Sequence, residues 1–357
     1  VRVGVFNTAF VGDLVLMGRL IDALALEGHE IVLFSNPAGV ALYSSDKRIS
    51  RTVIVRKKRG AAKIFSLNQI AKQIRDENLE VFVLAHRSLT SGLVTVLSRQ
   101  SRVVTFKDSS LAHSFFSKID ESAASHESER YLRLASGLVG KSNFQNAKLA
   151  LAGDCSLKRF LTAFPDFQLN SPFFVCAPGS VWATKKYPPR LLASVIGRVL
   201  SEQPHMRCVL SGGPSDAADI AAVIDEIREN EKFATVFDRV VDARDCLPLP
   251  ELIEVIRQAK FVLTPDSAPL HIASATGTKT FVFFGPTPSN TGFAPLSPGS
   301  KVLDHLTIRG RQLNCQPCSK HGQMSCPLTH HGCLADLPPD AVAVAVLEST
   351  SGGTTVE

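Results

Sequence analysis

The chain's 357 residues are enough for two domains, each with a core of its own. Hydrophobic residues make up 45% and charged residues 20%, which excludes a disordered chain. A formal charge of +6 suits a partner rich in phosphate or carboxylate, but it is too small to specify nucleic acid, and none is expected as a partner.

Residues 1–7 read as a strand, and residues 13–27 as a helix with Leu14, Leu16, Leu20, Ile21 and Leu24 at its apolar positions. Strands at 29–35, 52–55 and 81–85 follow, with a helix over 61–77 between the last two. A polar stretch (108–128), a helix over 129–139 and a linker-like region of about 140–172 close this first series. A second series opens at Phe173-Phe174-Val175-Cys176. It runs through helix 189–202, strand 208–211, helix 216–229, strand 236–241 and helix 249–259. Its last unit is a strand at 261–263, a turn carrying Asp266, a helix that starts at once, and a strand at 280–284. Strand–helix alternation implies parallel sheets with right-handed crossovers. Two such series imply two Rossmann-like domains facing a cleft, an α/β architecture with expected bounds of 1–165, 166–340 and a helix end and tail at 341–357. Residues 349–355 read as a frayed tail.

No apolar run approaches the roughly 18 residues that span a bilayer, so no transmembrane segment is expected. The start goes straight into a strand without a visible signal peptide, and eight scattered cysteines suit a reducing compartment; cytoplasm is the expectation. Several nucleotide signatures fail. Gly140-Lys141-Ser142 resembles the end of a phosphate loop, but residue 135 is Ala where that loop needs Gly, and the run follows a helix. No G-x-G-x-x-G follows the first strand, and no Asp-x-Asp pair is present to hold a metal–diphosphate. A bound diphosphate would have to be met by helix ends and basic side chains.

Four strand-end turns carry the chemistry. Val11-Gly12-Asp13 opens the first helix, and a carboxylate there could take a proton from a hydroxyl. Ala177-Pro178-Gly179-Ser180, followed by Thr184-Lys185-Lys186-Tyr187-Pro188, sets hydroxyls and a lysine pair between a glycine turn and a helix, as a phosphate would require. Ser211-Gly212-Gly213-Pro214 lets backbone approach a ligand. Asp266 and Ser267 stand where a helix N-terminus favours an anion, although both residue types also serve as ordinary N-caps.

In this order the four turns resemble glycosyltransferase family 9, the ADP-heptose lipopolysaccharide heptosyltransferases. The likeness covers nearly the whole chain, down to Asp266-Ser267-Ala268-Pro269-Leu270-His271-Ile272-Ala273 and Phe284-Gly285-Pro286. The run Leu313-Asn314-Cys315-Gln316-Pro317-Cys318, then Cys326-Pro327-Leu328, His330-His331 and Cys333-Leu334, is similar to the branch called heptosyltransferase II, which adds the second heptose of the inner core. The resemblance implies a GT-B fold and an inverting transfer that needs neither metal nor cofactor. The donor would be ADP-L-glycero-D-manno-heptose, and the acceptor a lipopolysaccharide inner core met at the inner membrane surface. By resemblance Asp13 matches the general base and Lys185, with Thr184 beside it, the lysine on the donor diphosphate. Asp266 matches the aspartate near the donor sugar, and Ser267, Ala268, Leu270 and His271 the turn around the diphosphate; Ser180 and Gly212 complete the donor set. Ala268 replaces a usual Gly and would be strained if its φ were positive. Tyr187 replaces a usual Trp. Asp216 and Asp219 are both candidates for the donor ribose.

Cys315, Cys318, Cys326 and Cys333 have the spacing C-x2-C-x7-C-x6-C, which could hold zinc with nearby histidines as substitutes, or be reduced structural thiols or local disulfides. Arg56-Lys57-Lys58-Arg59, with Lys63, is the densest basic run; it reads as a solvated loop, with lipid phosphates or the membrane surface as the alternative. Competing functions are a nucleotide-sugar 2-epimerase on the same architecture and a non-catalytic nucleotide-binding protein.

Overall fold

A computed structural model describes residues 1–58, 62–112, 117–119 and 124–351. The chain divides into two compact units, Val1–Asp154 and Cys155–Glu357. Arg59, the Lys63 side chain and most of the expected tail lie outside the described residues.

The first unit follows the order β1 (Arg2–Asn7), α1 (Val11–Leu16), α2 (Gly18–Leu26), β2 (Glu30–Ser35), α3 (Pro37–Leu42), β3 (Ile49–Ile54), α4 (Ala62–Asp76) and β4 (Val81–Leu84). It continues with α5 (Leu89–Ser98), β5 (Val103–Phe106), β6 (Ser117–Ile119), α6 (Glu127–Arg133) and α7 (Lys141–Asn146). Its strands form one parallel sheet, ordered β3-β2-β1-β4-β5-β6, in which Val5 lies between Leu33 and Val83. Phe6, Val32, Phe34, Phe82 and Leu84 build its core, because the central strands are apolar on both faces. The order reverses between β1 and β4, so their carboxyl ends form a switch point where open α/β sheets bind ligands.

The helix expected over 13–27 is two helices. Leu20 N–H bonds the Met17 carbonyl three residues back at 2.9 Å, tightening the chain between α1 and α2. The linker-like region holds α7 and, in the second unit, α8 (Lys158–Ala163), both too short to show periodicity. Glu251 accepts from the Arg159 and Phe160 N–H groups, and Phe160 packs on Phe167. These contacts put α8 in the second unit, on the other side of the boundary expected at 165.

The second unit continues with β7 (Phe173–Cys176), α9 (Pro189–Glu202), β8 (Arg207–Leu210), α10 (Ala217–Glu229), β9 (Val240–Asp242), α11 (Leu249–Gln258) and β10 (Val262–Pro265). Then come α12 (Ala268–Thr276), β11 (Thr280–Phe283), β12 (Lys301–Leu303), α13 (His305–Arg309), α14 (Gly332–Ala335) and α15 (Pro339–Ser351). Its sheet, also parallel, is ordered β12-β11-β10-β7-β8-β9, with the reversal between β10 and β7. The strand expected at 236–241 is mostly a 3-10 helix, Glu231–Arg239. Arg239 explains this: its guanidinium donates to the carbonyls of Leu200, Gln203, Pro204 and Met206 around the end of α9. Tyr187 stacks on Phe283 at 4.3 Å and donates to Leu337 O at 2.7 Å, so it fills an aromatic position in the core while keeping its hydroxyl satisfied. Among the described residues no helix is long and apolar enough to cross a membrane.

Candidate functional site

In the first unit, Asp13 sits on α1 just past the carboxyl end of β1 and is half-buried. Burial pushes its carboxyl up to about 6, with Glu127 adding like charge and Arg87 opposing. Arg87 follows β4. It donates to Asp108 (2.9 Å) and Glu127 (3.2 Å) and lies 3.8 Å from the centre of the Phe106 ring. Tyr131 is buried beside them, 3.4 Å from Asn7 Nδ2. A carboxylate held near neutrality among an arginine, a glutamate and a tyrosine can shuttle a proton.

A second polar group adjoins the same strand ends. Lys57 Nζ donates to Thr8 Oγ1 (2.7 Å) and Ser91 Oγ (3.1 Å), and His86 Nδ1 meets both hydroxyls at 2.9 and 3.0 Å. Burial pulls Lys57 down to about 8 and, with the charges of Lys57 and Arg87, His86 down to about 4. Lys57 therefore turns inward and does not belong to the solvated run expected from sequence. His86, Arg87 and Glu127 escaped the sequence reading. The first two stand directly after β4, and the switch-point rule that singles out Asp13 would have found them.

In the second unit, Lys185 and Asp266 form a buried ion pair, Nζ to Oδ2 at 2.5 Å, and Thr287 Oγ1 adds a bond to the same oxygen at 3.3 Å. Ser267 is the N-cap of α12, but its side chain makes no capping bond; its hydroxyl meets Thr264 Oγ1 at 3.1 Å. Capping therefore does not explain either residue; Pro269 has no N–H and Leu270 N–H is taken by Ser267 O, so what α12 presents beside the lysine is the positive end of its dipole, led by Ala268. Ala268 opens α12 in helical conformation and is absent from the positive-φ residues, so the strain considered for it does not arise. Leu270 is fully buried against Val282 and Phe284, and its N–H bonds Ser267 O at 3.1 Å, so its side chain is part of the core. His271 is also buried, with its ring 6.0 Å from that of Phe293.

Ser180 Oγ accepts from Trp182 N–H at 3.3 Å. Thr184 is committed elsewhere: its hydroxyl donates to Gln323 O and accepts from Gln323 N–H, both at 2.9 Å. It ties the cysteine-rich segment to the turn after β7. The turns after β7 and β8 close on Asp216, where a Cβ at Gly179 would strike the carboxylate and one at Gly212 would lie 2.8 Å from Asp216 Cβ. Lys186 pairs with Asp219 at 2.7 Å, and Asp216 Oδ2 accepts from Gly213 N–H at 3.0 Å, so both aspartates have partners within the second unit.

Cysteine-rich residues 313–333 lie on the strand ends. Gln316 donates to Gly285 O at 2.6 Å, Cys318 N–H to Pro286 O at 3.2 Å, and His331 Nε2 lies 2.8 Å from Thr184 O. At Gly322 (φ +97°) a Cβ would lie 2.6 Å from Trp182 Cβ and 3.1 Å from Lys185 Cε, so this segment forms a wall beside the lysine. All eight cysteines are free thiols. Burial and the three neighbouring thiols push Cys333 up to about 12. Yet among the described residues no set of three or more His, Cys, Asp or Glu side chains is arranged to hold a metal, so zinc gains no support from geometry. Cys315→Ser with Cys318→Ser is expected to lower the melting temperature by several degrees, on the order of 1–2 kcal/mol for two half-buried thiols. Scanning calorimetry with elemental analysis checks this. An unchanged melting temperature would mean that the thiols do not hold the segment.

A model of one family, glycosyltransferase family 9 (heptosyltransferase), matches residues 67–327. The chain is 40% identical over 80 residues to lipooligosaccharide heptosyltransferase 2 of Campylobacter jejuni subsp. jejuni serotype O:6. That match spans 22% of this chain and 22% of the relative, about a fifth of its length. Among solved structures, the family 9 glycosyl transferase of Veillonella parvula is similar with a TM-score of 0.77 at 15% identity, covering 99% of this chain and 97% of the other. E. coli ADP-heptose lps heptosyltransferase II gives 0.76 at 17% identity, covering 98% of each. E. coli heptosyltransferase WaaC with ADP gives 0.67 at 18%, covering 98% and 100%. At these identities the likeness establishes the fold: two parallel six-stranded sheets flanked by helices, as in GT-B enzymes.

Proposed function

Since this chain belongs to glycosyltransferase family 9, the heptosyltransferases, we propose that it moves a heptose from ADP-heptose to an inner-core sugar of lipopolysaccharide, as the second heptose. The acceptor is lipid-linked, so the enzyme works at the membrane periphery. Asp13 takes the proton from the acceptor hydroxyl as that oxygen attacks the anomeric carbon. The bond from that carbon to the diphosphate oxygen breaks, its configuration inverts, and ADP leaves. Lys185 and the positive N-terminal end of α12 receive the charge that builds on the departing diphosphate. Asp266 holds Lys185 in place before the donor arrives, and Asp216 meets the ribose. Ser180 lies in the same strand-end loop and borders the donor.

The observation that carries the donor reading is the uncapped start of α12 beside a buried lysine. The second-heptose step draws support from the partial match to a heptosyltransferase 2 and from the fold shared with heptosyltransferase II. Isotope-labelled ADP-heptose tests the proposal with acceptor cores that carry no heptose or one heptose. Label is expected to appear on the one-heptose core. Transfer only to the heptose-free core would move the step, and isomerised donor or no turnover at all would reject the transferase.

A further inference from the structure

Helix α5 is built inside out. Leu89, Leu93, Val96 and Leu97 are 57%, 36%, 45% and 40% exposed, while Ser91, Thr95 and Ser98 are fully or almost fully buried with Gly92. The spacing i, i+4, i+7, i+8 puts the four large residues on one face, the pattern a helix ordinarily turns toward its core. The inward hydroxyls are satisfied without help from a partner. Thr95 Oγ1 donates to Ser91 O at 2.9 Å, Ser98 Oγ to Thr95 O at 2.7 Å, and Ser91 Oγ joins the Lys57 group. No charged residue occurs between Leu89 and Ser98. An outward face of this kind on a folded unit marks a surface that something covers.

The neighbouring helix α4, which packs beside α5, also exposes apolar side chains. Arg75 of α4 donates to Leu97 O at 2.7 Å, tying the ends of α4 and α5 together, and the first turn of α4 exposes Ile64 (73%) and Phe65 (62%). Charge indicates what the occupant is. Residues 54–102 carry ten basic and three acidic side chains. Arg56, Lys58, Lys72, Arg99 and Arg102 among them are exposed. The first unit holds 21 basic and 14 acidic residues, net +7, against 18 and 19, net −1, in the second. The whole positive excess of the chain thus lies in the unit with the apolar helix face.

We propose that the outer face of α5 and the first turn of α4 dock on an anionic lipid bilayer. The leucines and Phe65 would sit at the headgroup–acyl boundary, and the basic rim would lie against lipid phosphates. This needs neither donor nor acceptor, so it stands or falls apart from the transfer reaction.

Co-sedimentation of the full chain with vesicles of phosphatidylglycerol and phosphatidylethanolamine, and with phosphatidylcholine alone, tests it. Binding is expected to the anionic vesicles, and to weaken with added salt. L93Q/L97Q should lose roughly tenfold or more in partition coefficient, and K72E/R102E a similar factor. The substituted positions are exposed, so melting temperatures should hold; if the leucine variant fails to fold, the charge-reversal variant still decides. A wild-type chain that stays in the supernatant with anionic vesicles would overturn the proposal, and so would variants that sediment like wild type. A concentration-dependent dimer abolished by L93Q/L97Q, without vesicle binding, would assign the face to a second copy and also overturn it.

Discussion

Asp13→Asn is expected to lower the transfer rate by roughly 10²–10⁴ and, at neutral pH, to make the protein more stable. Both effects follow from one property. The Asp13 carboxyl is raised from 3.8 to about 6, mainly by burial and next by Glu127. A raised carboxyl binds its proton more tightly folded than unfolded, so the native state bears no penalty below pH 4. The penalty grows as pH rises through 6 and is complete above it. Asparagine cannot ionise and avoids it; the gain at pH 7.5 should be about 1–3 kcal/mol, shrinking toward zero near pH 4. The wild-type kcat/KM should rise with pH through about 6 as the base loses its proton, and the variant should lack that limb. Paired pH–rate profiles and melting curves decide the matter. A variant with the wild-type rate and profile would remove Asp13 from the proton transfer.

Lys185→Ala should strike stability and donor binding together. Among the described residues it leaves the buried Asp266 carboxylate with the Thr287 hydroxyl as its remaining side-chain partner. Removing one partner of such a pair costs about 3–5 kcal/mol. Losing a charged contact to the diphosphate weakens ADP by about 1.5–3 kcal/mol, tenfold or more, while adenosine is barely affected. The double variant Lys185→Met with Asp266→Asn separates the two effects. Without a stranded charge it should recover most of the stability, yet ADP should still bind weakly. Calorimetry on ADP and adenosine reads this directly. Recovery of ADP affinity in the double variant, or equal losses for ADP and adenosine, would take the lysine off the diphosphate.

Strands β1, β2, β4, β7, β8, β10 and β11 were legible because each is a run of four to six mostly apolar residues buried in a parallel sheet and bounded by turn residues, whereas β5 and the three-residue β6 and β12 went unread. The turns at Asp13, Gly179, Gly212 and Asp266 were legible for a related reason: chemistry gathers at strand ends, and strand ends can be located. What escaped was whatever depends on distant residues meeting. Glu127 bears on Asp13 from 114 positions away, and Thr184 is taken up by Gln323, 139 positions on. Leu270 reads as part of a ligand turn, yet the helix rotates it into the core. Helix α5 escaped for the opposite reason: its apolar positions are periodic, but they face outward, so its pattern breaks the rule by which surface helices are recognised.

Trp182 is the only tryptophan in the chain. It packs against Gly322 in the wall beside Lys185, three positions before that lysine. The molecule's indole emission therefore comes from a single spot, and that spot borders the group proposed to hold the diphosphate. Nature has left one lamp in the protein, and it hangs at the donor's door. Titrations of nucleotides are therefore expected to shift this emission in the unmodified chain, without dye or isotope, and in every variant that retains Trp182.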